Sequence, residues 1–490
     1  MMKAPIHLRP RPAASRHLVL VSNRIPLSFR RENGKLQAVP SSGGLIGALE
    51  PILKDHGGVW VGSAGTEDTP ELHQQLQAAT DGSNFRYVPI ILTDEEQAKY
   101  YEGFSNEVLW PLFHDLQSQC VFDPEYWDFY QRVNRKFAAV VEGVAGSRDT
   151  IWVQDYQLIQ VAQELRRRRP QAFLSFFLHI PFPSPDIFGK LPWRREVLKG
   201  LLDYDFIGLQ TLRDERNLIA SIRTYISDAR ISGRGDVRYV TTARGVISLR
   251  SVPISIDFRQ FDDAARNPGV IERMRQVRGE EHMEIAIGID RLDYTKGIPE
   301  RLRAFRAFLR TYPKFHRKIT LLQVVVPSRE NIPGYQELRS TIEGLVSSVN
   351  GEFSEPGWTP IQYMHRSIPR EELIAFYRAA GIALITPLKD GMNLVAKEYC
   401  ACQVDNDGVL ILSEFAGAMP ELHTGAIPVH PYDEIGICQA LRQALEMPAA
   451  ERRSRMIRMR RQIRQADILR WRDRIFEEME QARPRTQLAA

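Results

Sequence analysis

Short apolar runs alternate with longer stretches in which apolar side chains recur every three or four positions, and the alternation persists through most of the chain. This pattern predicts parallel sheets flanked by helices, since buried parallel strands read as continuous apolar runs and their crossover helices as amphipathic stretches. In the first half, strands are predicted over 17–22, 150–153, 174–179 and 205–209, with helices over 126–143 and 158–169 among the connections. The second half predicts strands over 284–289, 319–326, 361–364, 382–386 and 409–413, each leading towards a helix. Two Rossmann-like domains in tandem follow, meeting near Ser251-Val252-Pro253-Ile254. A final amphipathic helix over 467–481 carries Ile468, Leu469, Ile475, Phe476 and Met479 on one side and needs a surface to bury them. The expected organisation is a flexible basic leader over 1–16, a first domain over 17–252 completed by the helix 467–481, a second over 253–466, and a frayed tail over 482–490.

At 490 residues the chain exceeds one compact core, and 43% hydrophobic content is ample for two. No apolar run reaches the roughly eighteen residues of a membrane span. The longest, over 174–182, is broken by His179 and Pro181, so no membrane partner is expected. The leader lacks the apolar core of a secretion signal, and Cys120, Cys400, Cys402 and Cys438 show no metal-binding or disulfide spacing. A cytoplasmic location with reduced thiols is expected, with no metal and no cofactor implied. The net charge of +5 is concentrated in arginine clusters at 166–169 and 452–474. A single aromatic residue, Trp471, falls among these, too few to stack successive bases, so they read as solvated faces and no nucleic-acid partner is expected. Phosphorylated small substrates fit the excess positive charge. No pattern encodes the oligomeric state, which leaves a homo-oligomer open.

The most informative chemistry lies between Thr386 and Glu398, where a strand end, the turn at Gly391 and a helix start bring Asp390 and Glu398 eight positions apart. Unpaired N–H groups of Met392, Asn393, Leu394 and Val395 at the helix opening favour an anion such as a diphosphate. Two turns on, Glu398 can accept hydrogen bonds from a ribose, and Asp390 lies where a sugar hydroxyl would sit. The same spacing fits an ordinary strand-turn-helix in which Asp390 is a cap and Glu398 is solvated. In open α/β sheets ligands gather beyond the carboxyl ends of strands. Asp155 and His179 follow two successive predicted strands, and Arg291 and Lys296 occupy a strand-to-helix loop where they can converge on one diphosphate or pair with Asp290 and Asp293. A second anion site is suggested by Arg24, by the flexible Ser41-Ser42-Gly43-Gly44 ahead of a helix, and by Arg329, with Tyr100, Tyr101 and Trp110 offering aromatic faces.

Taken together, Ser22-Asn23-Arg24, Ser42-Gly43-Gly44, Trp110-Pro111-Leu112-Phe113-His114, Trp152-Val153-Gln154-Asp155-Tyr156, His179-Ile180-Pro181-Phe182-Pro183, Arg291-Leu292-Asp293-Tyr294-Thr295-Lys296-Gly297 and 390–398 resemble the trehalose-6-phosphate synthase family. That family of retaining GT-B glycosyltransferases includes glucosylglycerol-phosphate synthase. The resemblance implies two Rossmann-like domains facing a central cleft, the first binding acceptor and the second the nucleotide sugar. It implies transfer of glucose from a nucleotide diphosphate glucose, UDP-glucose foremost, to glucose 6-phosphate, without a protein nucleophile. By the same resemblance Arg291, Lys296 and the N–H groups after Gly391 hold the donor diphosphate, Glu398 the ribose, and Asp390 and His179 the transferred glucose. Arg24, Tyr101, Trp110, Asp155 and Arg329 match acceptor positions, and Gly44 lies in the loop that closes over the donor.

Gln154 and Gln157 stand where many relatives have His, and Ser63 replaces a common Trp, which leaves the fine shape of the acceptor site open. The alternatives are glucosylglycerol-phosphate synthesis from ADP-glucose and glycerol 3-phosphate, and a non-catalytic sugar-phosphate sensor. An intact set of Arg291, Lys296, Asp390 and Glu398 argues against the sensor. The nucleotide base is not legible, so UDP-, ADP- and GDP-glucose all remain donors to test.

Overall fold

A computed structural model describes residues 17–32, 34–40, 44–234, 237–279, 283–329 and 332–483, without side chains for 44–48 and 333. The predicted leader 1–16 and Ser41-Ser42-Gly43 therefore lie outside the described residues. The first half contains β1 (Leu18–Arg24), a hairpin of β2 (Leu27–Glu32) and β3 (Lys35–Pro40), β4 (Gly58–Ser63), β5 (Phe85–Ile90), β6 (Thr150–Gln154), β7 (Phe173–Phe177), β8 (Phe206–Leu209), β9 (Arg230–Ser232), β10 (Arg238–Thr242) and β11 (Gly245–Ser251). The second contains β12 (Glu284–Arg291), β13 (Ile319–Val326), β14 (Ile361–His365), β15 (Ile382–Ile385), β16 (Val409–Ser413) and β17 (Ile427–Val429).

Two sheets result. One has nine strands in the order β5-β4-β1-β6-β7-β8-β11-β10-β9, parallel except for the antiparallel ribbon β11-β10-β9, and the other has six parallel strands in the order β14-β13-β12-β15-β16-β17. In each sheet the chain builds outward from its first strand, returns, and builds the other way. The order therefore reverses between β1 and β6, and again between β12 and β15. Strands diverge from the crossover connections at such points, leaving a crevice at their carboxyl ends. Arg24 ends β1, Asp155 follows β6, Arg291 ends β12 and the loop to Gly391 follows β15. Both crevices are thus lined by the residues that the sequence singled out.

Apolar clusters cover both faces of each sheet. The last helix, Ile468–Ala482, buries Ile468, Trp471, Ile475 and Met479 against the first sheet, and the Trp471 indole N–H donates to the Val252 carbonyl at 2.9 Å. The expected frayed end at 482 is corrected here. Ala482 is still helical, and Arg483 is buried, reaching Glu480 at 2.9 Å and the Thr150 hydroxyl, while 484–490 lie outside the described residues. The predicted strand 174–179 stops at Phe177, so His179 belongs to the loop, and the helix expected over 158–169 begins only at Val161 after a tight turn at Tyr156–Leu158. Between the domains, the chain at Ile254 is held from both sides, its N–H by the Gln210 amide oxygen at 2.9 Å and its carbonyl by Lys397 Nζ at 2.9 Å.

Candidate active site

On the second domain, β12 delivers Arg291 to the rim and a turn closed by Asp293 carries Lys296. Asp293 Oδ1 accepts from the Thr295 N–H at 3.0 Å and from its hydroxyl at 2.9 Å. Across the sheet, the loop after β15 places Asp390 against Lys296, Oδ2 to Nζ 2.6 Å, with both side chains about nine-tenths buried. Burial acts to raise the Asp390 pKa, but the Lys296 charge and hydrogen bond overcome it and hold the carboxyl below its usual range. Asp390 Oδ1 also accepts the N–H groups of Met392 at 3.1 Å and Asn393 at 3.3 Å. The expectation that the N–H groups of all four residues 392–395 stand unpaired is therefore corrected. Of these four, the N–H groups of Leu394 and Val395 make no hydrogen bond to the described residues, and Asn393 caps the helix Leu394–Cys402 by accepting the Ala396 N–H at 3.1 Å. The cap-like reading of Asp390 and the socket reading are both realised in one carboxylate.

Glu398 is neither solvated nor free, because the Tyr377 hydroxyl donates to it at 3.0 Å. Its carboxyl is pushed up chiefly by burial, with the Tyr377 bond and Arg370 opposing. Gly391 has a steric reason to lack a side chain: a Cβ there would lie 2.5 Å from the His179 carbonyl and 2.9 Å from the Ile180 carbonyl carbon. Here the two domains touch backbone to backbone. Gly44 opens the helix Gly44–His56.

The first domain presents Asp155, held at a φ of 71° after β6, its Oδ1 accepting the His179 N–H at 3.1 Å. Burial pushes the Asp155 carboxyl up to about 6, against the opposing pull of the His179 and Tyr156 N–H groups and of Arg291 and Arg329. Asp155, Arg329 (φ 51°) and Asn393 (φ 56°) are all non-glycine residues in the left-handed region. Such conformations cost of order 1–3 kcal/mol each and cluster where function over-determines the backbone. The His179 ring is buried and both nitrogens are engaged, Nε2 with Gln154 Oε1 at 2.9 Å and Nδ1 with Gln210 Nε2 at 3.1 Å. Because Gln210 Oε1 accepts from the Ile254 N–H, its amide nitrogen must donate, which makes Nδ1 the acceptor and Nε2 the protonated nitrogen. Burial pushes the His179 pKa down to about 3, so the ring is neutral. Gln154, one of the departures from the common His, accepts the hydrogen bond of that Nε2–H through its amide oxygen.

Trp110 follows a π-helical segment, Gln97–Leu109, whose widened turns carry Tyr101 to the cleft while Tyr100 turns into the core and bonds Asn23 at 2.9 Å. The expectation that Tyr100 offers a sugar-stacking face is thus corrected. Trp110 is itself 6% exposed, with the Arg329 guanidinium 4.3 Å and that of Arg291 5.7 Å from its ring centroid. Arg329 is steered further by the hydroxyls of Tyr335 at 2.6 Å and Tyr156 at 3.4 Å. Arg24 lies over the Tyr101 ring at 5.3 Å. Burial raises the Tyr101 pKa, but Arg329, Arg24 and Arg291 together reverse the effect and leave it below its usual value. A net positive field therefore fills this end of the cleft. His114 is buried beside Trp110, its Nδ1 donating to the Trp110 carbonyl at 2.7 Å, and burial pushes its pKa down to about 4.

Of the singled-out residues, Arg24, Tyr101, Trp110, Asp155, Arg291, Lys296, Arg329 and Asp390 gather where the two domains meet, with His179 buried beside Asp155 and Gly391, while Tyr100 points into the core. Sequence reasoning passed over His114, Gln210, Tyr156 and Tyr335, and treated Asp293 only as an ion partner. His114 and Tyr156 fell inside quoted motifs, whereas nothing local marks Gln210 or Tyr335. Of the alternative network of Arg291 and Lys296 with Asp290 and Asp293, the Arg291–Asp293 pair forms loosely at 3.8 Å, whereas Asp290 pairs instead with Arg301 at 2.8 Å.

Two parallel-sheet domains whose switch points face each other across a cation-lined cleft define a GT-B glycosyltransferase. The sequence model of glycosyltransferase family 20 matches residues 16–481, and the chain belongs to that family. It is 41% identical over 474 residues to the trehalose-6-phosphate synthase of Mycobacterium avium (strain 104), covering 95% of this chain and 96% of that protein. A structure from E. coli bound with UDP-2-fluoro glucose superposes with a TM-score of 0.85 at 34% identity, covering 95% of this chain and 99% of that one. The UDP-forming α,α-trehalose-phosphate synthase from Burkholderia xenovorans in complex with glucose-6-phosphate gives a TM-score of 0.84 at 33% identity, covering 95% and 100% of the respective chains.

Proposed function

We propose that this enzyme transfers glucose from a nucleotide diphosphate glucose, UDP-glucose foremost, to glucose 6-phosphate, giving trehalose 6-phosphate and the nucleoside diphosphate with retention at the donor carbon. The observation that carries the reading is a pair of cationic sockets sharing Trp110. Arg291 and Lys296 stand with the Gly391 turn on one side, and Arg329, Arg24 and Tyr101 on the other. A donor diphosphate in the first and an acceptor phosphate in the second would bring two sugars together between them. The names and ligands of the relatives point the same way.

In this reading Lys296 leaves Asp390 to neutralise the diphosphate, assisted by Arg291 and the free N–H groups of Leu394 and Val395, and Asp390 turns to a glucose hydroxyl. Glu398 takes the ribose, and Asp155 accepts from an acceptor hydroxyl. The acceptor hydroxyl attacks the anomeric carbon on the face the nucleotide leaves, and the departing phosphate oxygen takes its proton. In keeping with direct transfer, the carboxylates around the cleft are each engaged, Asp390 with Lys296, Asp155 with the His179 N–H, Glu398 with Tyr377 and Asp293 with Thr295. The two arginines and the lysine supply the charge a metal ion would otherwise bring. Among the described residues no helix is long and apolar enough to cross a membrane, and free thiols at Cys120, Cys400, Cys402 and Cys438 support a cytoplasmic setting.

The test is a matrix of UDP-, ADP- and GDP-glucose against glucose 6-phosphate and glycerol 3-phosphate with purified protein, scoring nucleotide release and product mass. Release dependent on glucose 6-phosphate with a product of trehalose 6-phosphate mass is expected. Release that depends only on glycerol 3-phosphate, or sugar-phosphate binding without any turnover, would replace this reading with one of its alternatives.

A further inference from the structure

Asp293 occupies a place that no role assigned so far explains. Its carboxylate is 2% exposed, and Oδ1 is saturated by the Thr295 N–H and hydroxyl and by the Trp110 indole N–H at 3.4 Å, a bond that crosses from one domain to the other. Oδ2 faces both arginines at once, 3.8 Å from an Arg291 nitrogen and 3.8 Å from an Arg329 nitrogen. A bidentate arginine–carboxylate pair closes to about 2.8 Å. At 3.8 Å this carboxylate orients two guanidinium groups without hydrogen-bonding to either; the Arg291 side chain stays half exposed, and Arg329, which also donates to the Tyr335 and Tyr156 hydroxyls, would exchange those bonds for a phosphate. Two like charges on the same indole ring also need a shared counter-charge to stand there together.

We infer that Asp293 is the common positioning residue of the two phosphate grips, aiming Arg291 at the donor diphosphate and Arg329 at the acceptor phosphate and tying both to Trp110. This rests on the proposed reaction for the identity of the two ligands. A role confined to the turn would need only Oδ1. Asp293→Asn separates the functions: the amide oxygen keeps the Thr295 and Trp110 bonds, while an N–H₂ group replaces the oxygen between the guanidinium groups.

The experiment titrates UDP and glucose 6-phosphate separately into the full-length protein by calorimetry, using the parent, Asp293→Asn, Asp293→Glu, Arg329→Ala and the pair Asp293→Asn with Arg329→Ala. Loss of one charge-assisted contact at each grip predicts that Asp293→Asn weakens both ligands by roughly tenfold. Asp293→Glu should recover part of both losses. On the Arg329→Ala background, Asp293→Asn should no longer change glucose 6-phosphate affinity but should still weaken UDP. Weakening of only one ligand, or unchanged affinities in a folded Asp293→Asn protein, overturns the inference. Should Asp293→Asn fail to fold, Asp293→Glu decides alone, because both affinities must then fall together. If the parent protein binds neither ligand, it is the proposed reaction that has failed.

Discussion

Replacing Lys296 with alanine tests whether the buried pair at the bottom of the donor socket is a resting state of the catalytic charge. At 2.6 Å, and with an effective dielectric of about 20, the Coulomb attraction between Lys296 and Asp390 is about 6 kcal/mol. The desolvation of both groups offsets much of this. What the substitution leaves behind matters more: a buried carboxylate without its cation, which costs about 3–5 kcal/mol. Lys296→Ala should therefore lower the unfolding free energy by about 3 kcal/mol at neutral pH, and Lys296→Ala with Asp390→Asn should restore about 2 kcal/mol of it by removing the orphaned charge. The pH dependence has a fixed sign. In the parent the Asp390 pKa is depressed, so its contribution is present above the usual carboxylate range and is lost as pH falls through the lowered value. Without Lys296 the two largest lowering influences are gone and burial is opposed chiefly by the Met392 N–H bond, so that pKa should rise and the gap between parent and variant should narrow in acid. Kinetically, loss of one pre-aimed cation on the leaving diphosphate should reduce kcat by about 10²–10³. Urea unfolding followed by tryptophan fluorescence reads the first effect, and nucleotide release under saturating substrates reads the second. A variant whose kcat stays within about threefold of the parent removes Lys296 from the mechanism, and a double variant no more stable than the single one removes the orphaned-charge argument.

Arg329→Ala should raise the KM for glucose 6-phosphate by about tenfold or more with little change for the donor, and equal effects on both substrates would count against its placement at the acceptor phosphate. Gly391→Ala puts a methyl group 2.5 Å from the His179 carbonyl, which forces the domains apart and should cost about 1–3 kcal/mol while weakening donor binding; parent-like stability and donor KM would show that the contact is not needed. With the Asp155 pKa raised to about 6, its stability contribution is complete in acid and lost as pH rises through 6, whereas its carboxylate form, needed for the acceptor, is lost as pH falls. The KM for glucose 6-phosphate should accordingly rise below about pH 6 in the parent, and Asp155→Asn should abolish that limb of the profile.

The alternation of apolar runs and amphipathic stretches was enough to specify two parallel α/β units, because burial on both faces of a sheet must be written into each strand. It also placed Arg291, Asp155 and the Gly391 turn at strand ends, where such sheets gather ligands. Less local features escaped. The strand Phe85–Ile90 carries Pro89 and reads poorly as a strand, yet an edge position, as β5 has, tolerates the missing N–H. The π-helical segment that presents Tyr101 and hides Tyr100 has no periodicity to announce it. Which partner each charge takes was beyond any local pattern. Lys296 meets Asp390 from 94 positions away, Trp110 meets Asp293 from 183, and a Gln154 amide oxygen rather than an imidazole accepts the His179 N–H. Sequence alone determined that cations, carboxylates and a glycine turn would stand at the rims of two sheets, because strand ends and turns are decided by neighbouring residues. Only the tertiary structure decided that the rims face each other and that two arginines share one carboxylate across Trp110, because those contacts depend on how two separately folded sheets pack.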